Sequence, residues 1–453
     1  MRGESAPDNP SPHGLEGYRG LALKVLRSIG AEVGDVIRVK RADGAVYEGI
    51  LVPRFEYGDP ECVVLKLRNG YNIGLKIKDT DVVEKLAEGG KFTYKVQLAP
   101  KAVSSLPRVS IIGTGGTIAS RIDYRTGAVT PTFTADDLYS MVPELGEIAN
   151  IDTKVLFNVF SEDMTPKHWT KIAEEVASQF ENSIQGVVVA HGTDTMGYTA
   201  AALSFALQGL PAPVILVGAQ RSSDRPSSDA ALNLIGAVVA AVHAPFGEVA
   251  VAMHKNLSDD EILIHRGTRV RKCHTSRRDA FKSINTDPLG VVKNKTYHQI
   301  SSSFKPRGSL NGFKIKPLFE EKVALIKYYP GFNPEVIERL LDMGYRGIIL
   351  EGTGLGHVGS ICIKAIERAR DMGVFVGMTS QCIWGRVNMN IYYTGRDLQK
   401  AGVTPLEDML AETAVVKLMW VLAQTDNIEE VKKLMLTNIS GEFSQRTSYR
   451  WSA

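Results

Sequence analysis

The stretch RVSIIGTGGTIAS, Arg108 to Ser120, decides how the rest of the chain is read. Val109 to Ile112 is a four-residue apolar run stopped by glycine, the length and boundary of a buried strand rather than a helix. Gly113-Thr114-Gly115-Gly116-Thr117 follows at once. A strand that stops in a glycine-rich loop brings backbone N–H groups close to a ligand. It also leaves Thr117 at the carboxyl edge of a sheet, where open α/β folds place their sites. The loop is not a nucleotide cradle of a standard kind. The spacing G-x-G-x-x-G is missing, and no G-x-x-x-x-G-K-[ST] occurs anywhere. A threonine nucleophile is the sharper reading.

Outward from this stretch, strand and helix alternate. Strands are expected at 109–112, 186–190, 214–218 and 248–253, and helices at 134–142, 165–180, 196–209 and 228–243. This alternation predicts a parallel sheet with helices on both faces. Beyond a boundary near Lys305 to Leu318, the segments 323–328, 346–350 and 374–379 read as strands. A helix is expected over 333–343, with Asn333 at its cap and Pro334 in its first turn. Helices at about 406–424 and 428–437 complete a second, smaller α/β domain. The loop Glu351 to His357 is glycine-rich, but its spacing suits a tight strand-to-helix turn better than a phosphate site.

The first hundred residues have another texture. A polar tail precedes a short helix, Tyr18 to Ile29, ended by Gly30. GDVIRVKRADGAVYEGILVPRF alternates around Ala42-Asp43-Gly44, and CVVLKLRNGYNIGLKI around Asn69-Gly70. Both are hairpin signals. Four or five such strands in about sixty residues suggest a small antiparallel barrel. It carries no catalytic cluster and reads as a docking module or a structural cap. The fold class is therefore α/β: two α/β domains with parallel sheets, preceded by a small antiparallel β-barrel. The expected boundaries are 1–30 for tail and helix, 31–90 for the barrel and 91–107 for a linker. They continue with 108–304 for the catalytic α/β domain, 305–320 for a second linker and 321–453 for the last domain.

Bulk composition narrows the function. Among 453 residues, 53 basic and 50 acidic side chains leave a formal charge of +3, which gives no global footprint for nucleic acid. Four scattered cysteines show no C-x-x-C spacing, so neither a zinc site nor a disulfide framework is expected. The polar N-terminus has no apolar signal core, and the most apolar stretch, Gly236 to Met253, is interrupted by His243, Pro245 and Glu248. A cytoplasmic chain with no membrane partner and no metal is the expectation.

Three segments carry a resemblance. GTGGTIA with Thr117, then VVAHGTDTM from Val188 to Met196, then GTRVRKCHT from Gly267 to Thr275, resemble the signature and catalytic-lysine segments of the L-asparaginase family. The likeness runs from about Arg108 to about Gly441. It implies Thr117 and Thr193 as the two catalytic threonines, with Asp194 and Lys272 as the charged pair behind Thr193. Tyr124 matches a tyrosine on a mobile active-site loop. Ser161 and Glu162 match the pair that holds the α-carboxylate and α-ammonium of the substrate amino acid, beside Gly116 and Asp194. Glu162 stands where better-known secreted bacterial members have glutamine, which puts side-chain length preference in doubt.

A threonine hydroxyl is a weak nucleophile until a base takes its proton or a charge stabilises its alkoxide. Asp194 favours the ammonium form of Lys272, whereas burial would favour the free amine. Lys272 is thus either a base for Thr193 or a fixed positive charge. Backbone N–H groups of the two Gly-Thr loops would stabilise the oxyanion, at roughly 3–4 kcal/mol per donor. The lone histidines His191, His265 and His274 read as structural. The run from Arg266 to Lys282, with its seven basic residues, reads as mostly solvated.

Two functions fit this body. One is a free-standing cytoplasmic asparaginase. The other is favoured by the extension before Arg108, which resembles the added barrel in the amidase subunit, GatD, of archaeal-type glutamyl-tRNA(Gln) amidotransferases. That resemblance implies release of ammonia from glutamine or asparagine, and a homodimer core. It also implies a tRNA- and ATP-binding partner subunit (GatE-like), with Glu-tRNA(Gln) reached through the complex. No cofactor is expected on this chain, with ATP and Mg²⁺ on the partner. A third reading, an amino-acid sensor that keeps only the pocket, is disfavoured because both threonines, the aspartate and the lysine are present.

Overall fold

The computed structural model describes residues 15, 17–52, 59–67, 72–88, 103–116, 138–139, 142–182, 184–221 and 228–446, together with the backbone of 120–122 and 129–131. The chain divides into two compact units. One is drawn from Met1–Ala99, Ser120–Pro143 and Arg221–Ala231, the other from Pro100–Ala119, Glu144–Gln220 and Leu232–Ala453.

The first unit opens with helix α1 (Gly20–Ser28), which buries Ala22 and Leu26. It is followed by strands β1 (Val36–Lys40), β2 (Val46–Leu51), β3 (Cys62–Leu67), β4 (Asn72–Lys76) and β5 (Val82–Ala87). Gly30 ends the helix in the left-handed region, as expected. The Asp43-Gly44 turn joins β1 to β2, and Gly44 has φ of 87°. Every ladder is antiparallel, in the order β4-β3-β2-β1-β5. No ladder joins β4 to β5 among the described residues, so the expected barrel is seen as a five-stranded sheet. Ile37, Val39, Leu51, Val63 and Leu65 form its core with α1. The short hairpin β7 (Ser120–Ile122) and β8 (Val129–Pro131) also belongs to this unit.

The second unit holds two sheets. The larger is built on β6 (Arg108–Gly113), β9 (Asn150–Val155), β10 (Gly186–Ala190), β12 (Val214–Val217) and β13 (Val249–His254), all parallel. β10, β12 and β13 are buried along their whole length, which is why they read as unbroken apolar runs. Three antiparallel strands, β14 (Glu261–Arg266), β17 (Gly290–Lys293) and β18 (Thr296–Gln299), extend one edge. The sheet is therefore mixed rather than parallel throughout. Helices α2 (Pro166–Glu181), α3 (Met196–Ala206) and α4 (Ala230–His243) match three of the expected helices. The fourth, at 134–142, lies mostly outside the described residues. A two-residue strand, β11 (Leu207–Gln208), pairs with β19 (Lys314–Ile315).

The smaller sheet is parallel: β20 (Val323–Lys327), β21 (Gly347–Gly352), β22 (Phe375–Ser380) and β23 (Val403–Pro405). Around it lie α5 (Glu335–Asp342), α6 (Ile363–Asp371), α7 (Tyr393–Ala401), α8 (Ala411–Leu422) and α9 (Ile428–Met435). Asn333 Oδ1 accepts from the Glu335 amide at 3.1 Å, so this asparagine caps α5 as its sequence position suggests. The turn after β21 is closed by a bridge between Thr353 and His357. The fold class is thus α/β behind an antiparallel N-terminal sheet. One local expectation fails: the strand read at Val155 to Phe160 ends at Val155, because the next residues leave the ladder to back the glycine loop.

Candidate active site

Four segments converge at the carboxyl edge of the larger sheet, and glycines let them touch. Thr114 bonds to Ala190 O through both its amide (3.0 Å) and its hydroxyl (2.9 Å), tying the loop after β6 to the end of β10. Gly115 and Gly116 follow with φ of 109° and 81°, a conformation that strongly favours glycine. A Cβ on Gly115 would lie 2.3 Å from Val159 O, and one on Gly116 would lie 2.6 Å from Gly192 N. Gly192 packs on Ser161, whose Cβ is 2.8 Å from where its own Cβ would be. Gly218, after β12, meets Thr193 Cγ2 in the same way at 2.7 Å.

Thr193 and Lys272 meet within this frame. Lys272 Nζ donates to Thr193 Oγ1 at 2.8 Å and to Asp194 Oδ1 at 2.7 Å. Thr193 is buried, whereas the Asp194 side chain is 66% exposed. Lys272 ends β15 (Val270–Lys272), which pairs with β16 (Phe281–Ser283). Ser161 is buried at the start of a short 3-10 turn, and its carbonyl accepts from Thr195 Oγ1 at 2.6 Å. Glu162, the next residue, is exposed. Gly116, Ser161, Thr193, Asp194 and Lys272 are thus placed by this one set of loops. Thr117 and Tyr124 lie outside the described residues.

His191 is fully buried, and its hydrogen bonds are directional. Its Nδ1 is 2.6 Å from Gly192 O, an acceptor only, so Nδ1 carries the proton. Trp169 Nε1 donates to Thr199 Oγ1, and Thr199 donates to His191 Nε2 at 2.9 Å. Burial pushes the imidazole down to about 4, so it is neutral near pH 7. His191 is structural, as its sequence context suggests. His265 is likewise buried, bonded to Ser283 Oγ and pushed down to about 3 by desolvation. His274 is exposed and accepts from the Ser276 and Arg277 amides.

The basic run is a correction to the sequence reading. All seven basic residues from Arg266 to Lys282 lie within ion-pair distance of carboxylates of the chain. Arg266 and Arg269 are buried against Glu248 and Asp408. The run looks solvated in sequence because most of its partners lie far along the chain.

Asn233 and His254 carry no sequence motif, yet they support the site. Asn233 Nδ2 donates to Gly218 O at 3.0 Å, and Asn233 Oδ1 accepts from His254 Nδ1 at 2.6 Å. This buried pair braces the glycine that backs Thr193. The available signal is an asparagine inside the otherwise apolar α4. Among the described residues, no three His, Cys, Asp or Glu side chains are grouped to hold a metal ion. No described helix is long and apolar enough to cross a membrane.

The chain matches three family models. These are asparaginase, N-terminal, over residues 108–304, the glutaminase/asparaginase C-terminal domain over 322–435, and the GatD N-terminal domain over 31–86. Among curated proteins, the glutamyl-tRNA(Gln) amidotransferase GatD of Thermofilum pendens is 50% identical over 446 residues, covering 96% of this chain and 98% of that protein. Its counterpart from Pyrococcus furiosus is 55% identical over 428 residues, covering 93% and 97%. Among solved structures, the thermostable L-asparaginase from Thermococcus kodakarensis matches with a TM-score of 0.67 and 33% identity, over 75% of this chain and 100% of that one. L-asparaginase I from Vibrio cholerae matches with a TM-score of 0.65 and 32% identity, over the same shares.

Proposed function

This chain belongs to the GatD family of glutamyl-tRNA(Gln) amidotransferase subunits, and on that footing we propose how its site works. It is the asparaginase-like amidase component of such an amidotransferase. The reaction assigned to this chain is release of ammonia from the side-chain amide of glutamine or asparagine. The Thr117 hydroxyl attacks the amide carbon, ammonia leaves, and water frees the carboxylate. Thr193, Lys272 and Asp194 form the proton-handling group. Backbone N–H groups about Gly116 face the developing oxyanion. Ser161, Glu162 and Asp194 hold the amino-acid end, and Tyr124 closes over the site.

The observation that carries this reading is the 2.8 Å contact of Lys272 Nζ with Thr193 Oγ1, backed by Asp194 at 2.7 Å. A hydroxyl, an amine and a carboxylate in one chain of hydrogen bonds can move a proton to or from a reacting amide. Ammonia release by the purified chain is the assay. Thr117→Ala is expected to abolish it without loss of folding. Thr193→Ala, Asp194→Asn and Lys272→Met should each lose orders of magnitude, and non-additively, as a unit does. Wild-type turnover in Thr117→Ala would remove the nucleophile assignment.

Ammonia is only half of an amidotransfer. A glutamyl carboxylate resists attack by ammonia until it is activated, commonly by phosphoryl transfer from ATP. The sequence has no Walker A segment to support that step. A partner subunit carrying ATP, Mg²⁺ and the Glu-tRNA(Gln) is therefore part of the proposal, as are a homodimer core and a cytoplasmic setting. The mass of the purified chain in solution tests the homodimer.

A further inference from the structure

Lys272 sits at the end of a three-residue strand, β15, laddered to the equally short β16. A ribbon of this length is not stable by itself in water. Its anchors come from the last fifty residues of the chain. Thr413 Oγ1 donates to Thr268 O at 2.9 Å, and Thr268 Oγ1 donates to Ser440 O at 2.9 Å. Arg269 is 1% exposed. Its guanidinium donates to Gly441 O at 3.0 Å, to Asp408 O at 3.2 Å and to Ser444 Oγ at 2.8 Å, and lies 3.1 Å from Asp408 Oδ2. Arg271 Nε is 3.0 Å from Glu412 Oε1, on the first turn of α8.

A buried guanidinium is costly unless its planar fork of donors is filled, so Arg269 tolerates few positions. Successive side chains of a strand point to opposite faces. Arg271 therefore meets Glu412 on one face while Lys272 meets Thr193 and Asp194 on the other. We propose that Arg269 and Arg271 are positioning residues for Lys272, gripped by Asp408 and Glu412 so that the amine meets Thr193. This rests on the amidase reading above, in which Lys272 serves Thr193. The grip comes from the C-terminal part of the chain, whereas Gly116 and Ser161 are carried by the loops after β6 and β9. Loosening the grip should therefore slow turnover and leave substrate affinity alone.

The test uses the full-length chain, initial rates of ammonia release against glutamine and asparagine, and thermal melts. Glu412→Gln keeps an oxygen for Arg271 and removes the charge. Asp408→Asn does the same for Arg269. Since a misplacement of about 1 Å can cost about 10²-fold, each variant should lose about 10–10²-fold in kcat with KM within about twofold. Added to Lys272→Met, neither should cause further loss, because the group they position is gone. A folded Glu412→Gln with wild-type kcat overturns the proposal. So does a rise in KM at unchanged kcat, or a full additional loss on top of Lys272→Met. Should Asp408→Asn fail to fold, the partly exposed Arg271–Glu412 pair decides through Glu412→Gln and Arg271→Gln. Wild-type activity in Lys272→Met is a distinct result, which removes the role of Lys272 and the proposal with it.

Discussion

Single residues set how close the loops of this site can come. Gly192→Ala would drive a Cβ to 2.8 Å from Ser161 Cβ, and Gly116→Ala would add a clash with Gly192 at a φ of 81°. We expect either change to remove most amide hydrolysis while the far-ultraviolet spectrum stays that of the folded chain. Unchanged rates would mean that Ser161 and the two loops do not share one pocket. His191 makes a pH prediction. Its folded pKa of about 4 lies below the ordinary value near 6.5, so the unfolded chain binds the extra proton first. The stability that this neutral histidine brings is complete above about pH 6.5 and is lost as pH falls from there towards 4, by up to roughly 3 kcal/mol. Melting temperatures followed down that window should fall less steeply in His191→Gln, whose side chain does not titrate. His265 is pushed down in the same sense and steepens the same limb.

At the scale of elements, the C-terminal turn is locked to α8 by a buried ion pair. Lys417 and Glu442 are both fully buried and 2.6 Å apart. Lys417 also donates to Met435 O and Thr437 O, and Glu442 accepts from the Ile439 and Ser440 amides. Lys417→Met would strand the carboxylate, at a cost of about 3–5 kcal/mol, while adding Glu442→Gln should recover much of it. Chemical denaturation of the two variants checks this, and equal midpoints would contradict it. Elements also differ in how legibly they are written in the sequence. β6, β10, β12 and β13 are buried on both faces, so their apolar runs are plain. β14, β17 and β18 lie towards a sheet edge and carry alternating or polar sequences, which leave no such run to read. Helices α6 and α7 are short and amphipathic, with Gly and charged residues among their apolar positions, and are equally hard to read.

For the whole molecule, the N-terminal sheet separates this family from free asparaginases, since the solved asparaginases cover 75% of the chain. We expect removal of residues 1–100 to leave basal ammonia release largely intact. Its dependence on the partner subunit and on Glu-tRNA(Gln) should be impaired. Steady-state rates with and without partner and charged tRNA, in full-length and shortened chains, measure this directly. Equal stimulation of both forms would reassign the N-terminal sheet to a purely structural role.

The sequence by itself determined the fold class, the family and five described site positions: Gly116, Ser161, Thr193, Asp194 and Lys272. It could do so because this information is local: a strand that ends in glycines, and motifs whose residues are neighbours in the chain. Tertiary structure alone decided what surrounds them. Arg269 finds Asp408, Arg271 finds Glu412 and Lys417 finds Glu442 only after the chain has folded. A run of seven basic residues looks solvated until the carboxylates arrive from elsewhere. The closeness of Gly116 to Gly192, and of Gly218 to Thr193, is likewise a product of parallel strands brought side by side. Charge pairing and close backbone contact depend on distance in space, and distance along the chain does not report it.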